Sequence, residues 1–121
     1  MKANIPRQHE IAIYDYIYLT LMVEVLEGKA AKGMNLDAPI NTVLKELRIV
    51  KDFLRKNQIK VHPVKVDADK EFVQYDFTCK VDGGYKEGDF RFWRHGLTLL
   101  LNKKIKLLKK GERIIESEFG D

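Results

Sequence analysis

The chain has 121 residues, with 22 Lys and Arg against 18 Asp and Glu and 45% hydrophobic side chains. That length suits one domain able to bury ~65% of the surface its unfolded chain exposes, and the composition is that of an ordinary globular protein. A net charge of +4 is too mild to imply nucleic acid by itself, and Cys79, the single cysteine, excludes an internal disulfide and a Cys-rich zinc site.

The opening residues, MKANIPRQHE, lack the charged lead and apolar stretch of a secretory signal. The expectation is a reducing, cytoplasmic setting. Pro6 can stand at the start of a helix without costing a hydrogen bond. Residues 11–26 read IAIYDYIYLTLMVEVL, in which only Asp15, Thr20 and Glu24 are neither apolar nor aromatic. The run is rich in β-formers, but its length is that of a helix rather than a strand. Wound at 100° per residue, Thr20, Glu24 and Glu27 share a narrow face with His9 and Glu10, and Asp15 lands almost opposite. A helix apolar around most of its circumference has to be covered on several sides. It is too short for a bilayer, and it carries two carboxylates.

Gly28 and Gly33 bracket a connection. Asp37 is a suitable N-cap, with Pro39 tolerated in the first turn. Ile40, Val43, Leu44, Leu47, Val50 and Leu54 then recur at helical spacing, and Asn57-Gln58 is the expected stop. Ile59, Val61, Val64 and Val66 alternate as a strand broken at His62-Pro63, which places it at an edge or gives it a bulge. Asp67–Lys70 reads as a turn. Val73, Tyr75, Phe77, Cys79 and Val81 point one way from a half-buried strand, ended by Asp82-Gly83-Gly84.

The last third has two readings. In the first, Asp89 caps a long helix running to Lys110, with Phe90, Trp93, Leu97, Leu100, Leu101, Ile105 and Leu108 as its stripe. In the second, residues 85–93 form a third strand and the helix begins near Gly96. The first is preferred because the stripe stays in phase across Gly96. Residues 114–121 form a tail that frays or crosses briefly over the core, leaving residues 1–113 as the globular domain. The fold class predicted is α+β in the order α-α-β-β-α, with the N-terminal helix packed by two amphipathic helices and an antiparallel hairpin.

Asp15 is the most unusual residue for its surroundings, since a buried carboxylate needs a partner. Arg91 and Arg94 are the nearest candidates, and an Asp15–Arg91 pair locking the core is the structural expectation. A carboxylate serving catalysis is the competing one. His9, His62 and His95 have no metal-ligand spacing, and Cys79 reads as a small buried hydrophobe. Gly88, followed by a helix start with Arg91 and Arg94 nearby, is a weak candidate anion site. It lacks the spacing of a phosphate-binding loop. The basic run Lys103, Lys104, Lys106, Lys109, Lys110 and Arg113 is the strongest candidate surface, for nucleic acid or an acidic protein. About six phosphate contacts would lose ~10³-fold in affinity between 50 and 200 mM salt.

The segment IPRQHEIAIYDYIYL, and more loosely YDFTCKVDGGY and FRFW, resembles parts of small uncharacterised proteins of Gram-positive bacteria and their prophages. The resemblance implies a bacterial or phage cytosolic setting and is compatible with an α+β fold. It brings no catalytic signature and no site residue.

The functional expectation is a non-enzymatic intracellular module that works through a protein partner or self-association, with Phe92, Trp93 and Leu99 as a patch. The alternative is a small nucleic-acid-binding protein using the basic helix. An enzymatic reading rests only on Asp15, Arg91, Arg94 and the glycine-rich turn. Neither cofactor nor metal nor membrane contact is expected.

Overall fold

The computed structural model describes residues 5–66 and 70–117. Helix α1 spans Arg7–Ala30, longer than the apolar run that nucleates it. Pro6 stands immediately before the first turn, and its carbonyl accepts the N–H groups of His9 and Glu10. Ala12, Ile13, Ile17, Leu19, Met22 and Leu26 are all essentially inaccessible. Their spacing spreads them over several sides of the helix, so α1 is enclosed rather than laid on a surface.

Helix α2 spans Asp37–Lys56. Asp37 is its first residue, with Leu36 in the capping position, so the expected cap falls one residue inside. Val43, Leu47, Val50 and Leu54 are buried, whereas Leu44 is 42% exposed and drops out of the expected stripe. The helix stops at Asn57-Gln58, where Gln58 turns to φ +56.

Strand β1 (Ile59–Val61) and strand β2 (Lys65–Val66) line one side of strand β3 (Phe72–Val81), and strand β4 (Gly84–Trp93) lines the other. Every pairing is antiparallel. Ile59 faces Cys79 and Val61 faces Phe77, but Val66 faces Val73, a register shifted by one residue. The extra residue is Pro63 or its neighbour, so the break at His62-Pro63 is a bulge on an edge strand. A one-residue insertion reverses which side chains face inward. It is why Val64 and Val66 share the inner face with Ile59 and Val61.

The preferred long helix is corrected. Residues 84–93 are strand, and helix α3 spans Arg94–Lys109. Ten consecutive residue pairs join β3 to β4, and the turn between them places Gly83 at φ +85, a region that favours glycine. The helical stripe loses because Phe90, Phe92 and their neighbours also satisfy a period of two. Phe90 stacks on Phe77 with centroids 5.3 Å apart and lies 4.6 Å from the Tyr14 ring. Trp93, a member of the proposed stripe, is 55% exposed.

The fold is therefore a two-layer α+β domain, with α1 setting Tyr14 and Tyr18 against the inner face of an antiparallel sheet and α2 and α3 packed against α1. After Lys109 the chain turns at Gly111 (φ +75). Of the two expected courses for the tail, residues 114–117 take the one over the core, with Ile114 and Ser117 buried. Residues 118–121, and all but Lys70 (φ +62) of the turn expected over Asp67–Lys70, lie outside the described residues.

Burial predicts a sharp contrast within α2. Leu54→Ala should destabilise the fold by roughly 2–5 kcal/mol, and Leu44→Ala by about 0.5 kcal/mol or less, as read from urea denaturation midpoints. Equal losses would place Leu44 in the core and contradict its exposure.

Candidate functional site

Asp15 is 2% exposed. Its carboxylate accepts the backbone N–H of Glu116 at 3.1 and 3.2 Å and that of Ser117 at 2.8 Å, and the Ser117 hydroxyl donates to it as well. The expected Asp15–Arg91 pair is thus corrected. Arg91 alternates with the inward-facing Phe90 and Phe92, so it lies on the outer face of the sheet. Its guanidinium sits 4.5 Å above the Phe72 ring. The partner of Asp15 comes instead from the tail, one hundred residues later in the chain.

The same segment is held from its other side by two cations. Lys104 is buried, its ammonium donating to the Ile114 carbonyl at 3.0 Å and lying 5.2 Å from the centre of the Tyr18 ring. The Arg113 guanidinium donates to the carbonyls of Ile115 and Ser117. Donors and acceptors of an irregular backbone are thereby satisfied where water cannot reach all of them. A small cavity of about 190 Å³ remains beside the tail, lined by Arg7, Ile11, Tyr14, Tyr18, Leu100, Lys104 and Glu116. The Tyr18 phenol is pushed up to about 12, chiefly by burial and then by the charges of Tyr14, Glu116 and Asp15.

These contacts divide the basic run. Lys104 and Arg113 hold the tail, while Lys103, Lys106, Lys109 and Lys110 are exposed on α3. The signal for Lys104 was present in the sequence. Leu97, Leu101, Lys104 and Leu108 follow steps of four, three and four, so Lys104 occupies a position on the buried stripe.

The weak anion site is also corrected, because its premise was a helix start after Gly88. Gly88 lies in mid-strand opposite Phe77. Arg91 is on the outer sheet face, and Arg94 opens α3 with its N–H bonded to the Glu71 carbonyl at 2.8 Å. The three do not converge, and Asp15 joins none of them.

The histidines are scattered. His9 packs edge-on to Phe53, and its Nδ1 is buried with no partner among the described residues. His95 packs against Trp93. His62 borders a shallow hollow of about 740 Å³ on the outer face, with Asp76, Glu87 and Asp89. Hydrogen bonds from Lys65 and Gln74 hold the Asp76 carboxyl below its usual range. Among the described residues, no group of three or more His, Cys, Asp or Glu is arranged to hold a metal ion. Cys79 is buried.

A second, apolar recess of about 300 Å³ opens on the inner face beside β2. Leu21, Val73, Tyr75, Leu97 and Leu101 line it, Val64 and Val66 form its lip, and Arg94 is its one charged lining residue. Val64 and Val66 are 44% and 46% exposed, although they face inward. The expected patch is altered too. Trp93 and Leu99 are exposed, but Phe92 turns in against Tyr14, Tyr18 and Tyr75. No helix of the described residues is long and apolar enough to cross a membrane. Comparison with known proteins gives no matching family model, no significantly similar curated protein and no significantly similar solved structure.

Two outcomes follow from the tail clamp. Asp15→Asn keeps the shape but offers one acceptor to three donors, and should cost on the order of 3 kcal/mol, with faster amide exchange across 112–117. Unchanged stability and exchange would show that the carboxylate does not hold the tail. In an absorbance titration, Tyr18 should ionise late, and Tyr18→Phe should remove the component near pH 12. The unfolded phenol titrates near its ordinary 10. The folded state then retains a proton the unfolded state has lost, so this contribution is full below about pH 10 and shrinks as pH climbs toward 12.

Proposed function

We propose that this chain is a non-enzymatic protein-interaction module, acting in the cytoplasm through a protein partner or another copy of itself. The observation that supports it best is the recess at the β2 edge, where a fold that buries α1 on several sides leaves inward-facing valines uncovered. An apolar recess beneath exposed valines offers a partner's side chains a concave place to be buried, which isolated exposed side chains do not. The residue with the strongest claim on chemistry favours the same reading, since Asp15 is engaged in holding the tail and does not meet Arg91, Arg94 or Gly88.

Nucleic-acid binding through α3 is the weaker alternative, with Lys104 buried and the exposed Arg113 bonded to tail carbonyls, which leaves four of the six expected cations. Charge reversal of Lys103 and Lys106 would abolish any salt-sensitive retention on DNA or RNA.

The module reading is tested with purified protein and with Val66→Asp, whose exposed position should leave the fold intact. The wild type should show either concentration-dependent mass by light scattering or a specific protein co-purifying with it, and the variant should lose that behaviour. A wild type that stays monomeric and retains no protein that the variant fails to retain would overturn the proposal.

A further inference from the structure

We infer that the recess receives an extended peptide of another protein, added as a strand to the edge formed by β2; the inference rests on the module reading above and names its partner class.

The backbone geometry comes first. The N–H of His62 donates to Asp76 and that of Lys80 to Gln58, so even-numbered residues of β3 direct their hydrogen bonds toward the β1–β2 side. Lys65, opposite Gln74, is therefore the residue of β2 whose N–H and C=O face β3. In an antiparallel ladder these groups alternate in direction, so those of Val64 and Val66 point away from the sheet. Among the described residues, β1 and β2 pair with β3 alone. A strand laid along this edge meets donors and acceptors already aligned for it, the arrangement that extended-peptide recognition uses.

The side chains supply the selectivity. Alternate residues of an added strand point to the inner face. There they would enter the space between the Val64–Val66 lip and Leu97 and Leu101 of α3. At about 300 Å³ the recess lies at the lower end of the roughly 300–1,000 Å³ range of ligand pockets, enough for two apolar side chains but not for a helix with its flanking bulk. Arg94 opens α3 at the rim of the recess, with no acidic residue among the lining side chains. The complementary peptide carries apolar side chains at positions i and i+2 and a carboxylate placed to meet Arg94.

Short length, a bulge, a proline and a lysine are also how natural sheets discourage indiscriminate edge pairing. Here the bulge does a further thing, since it turns Val64 and Val66 inward to face the recess. A short edge with a side-chain pocket beneath it accepts only a strand that fills the pocket.

The test is selection of a displayed library of random linear peptides against the full chain, with Val66→Asp as the counter-target. Enriched sequences should show apolar residues at alternate positions with a flanking acidic residue. A synthetic peptide of the consensus should bind at least tenfold more weakly to Val66→Asp, and Arg94→Glu should shift the flanking preference from acidic to basic. Its amide and methyl shift changes should centre on Val64, Val66, Leu97 and Leu101. Enrichment of helical spacing that remains sensitive to Val66→Asp would overturn strand addition while leaving the module reading in place. Absence of any sequence that discriminates wild type from variant would also overturn it, and the mass and co-purification experiment would judge the module reading separately.

Discussion

A carboxylate inside a protein has to be supplied with hydrogen bonds, and Asp15 sits on the helix that contributes most of the fully buried side chains of this fold. Leaving that charge desolvated and unsatisfied would cost several kcal/mol, against a total stability of about 5–15 kcal/mol for a typical domain. The chain answers with the N–H groups of Glu116 and Ser117 and the Ser117 hydroxyl. That choice fixes the course of the tail, and the course of the tail in turn requires Lys104 and Arg113 to meet the carbonyls it brings along. One buried acid thus accounts for the least regular part of the structure and for a third of the basic run.

The regular part was legible where one period fitted and no other did. The α1 run is too long for a strand, and α2 has a clean amphipathic stripe apart from Leu44. At 59–66 the change of parity, from Ile59 and Val61 to Val64 and Val66, was the bulge itself written in sequence. Residues 84–93 went the other way. Phe90 and Trp93 satisfy a helical step, while Phe90 and Phe92 satisfy a strand step, and local pattern cannot arbitrate between them. The deciding term is non-local: a ladder to β3 along its whole length and an inner face of Tyr14, Tyr18 and Phe77 waiting for aromatic rings.

The partner of Asp15 was illegible for a related reason. Arg91 was the nearest cation on a supposed helix, and making that segment a strand turns its side chain to the opposite face of the sheet. What replaces it is backbone, which carries no residue-type signal at all. Lys104 was the exception, because a lysine at the 4-3-4 step of a buried stripe announces a snorkelling or internally bonded cation before any coordinates exist.

The bulge connects this account to the proposed docking edge. Without the extra residue at Pro63, Lys65 would face inward and the valines would face water, and the inner layer would need a buried cation beside Leu97 and Leu101. With it, the inner face stays apolar to the very edge of the sheet, and the valines there remain about half exposed above the recess. Beside Leu97 and Leu101, α3 lines the recess with Arg94 and Thr98. A charged and a hydroxylated residue there keep the recess open to water and give its rim a sign. An edge built only to avoid aggregation would be served better by the reverse arrangement, with the lysine over the gap and the valines absent. The sequence instead keeps two exposed valines over an apolar recess, the surface that the proposed peptide strand would cover.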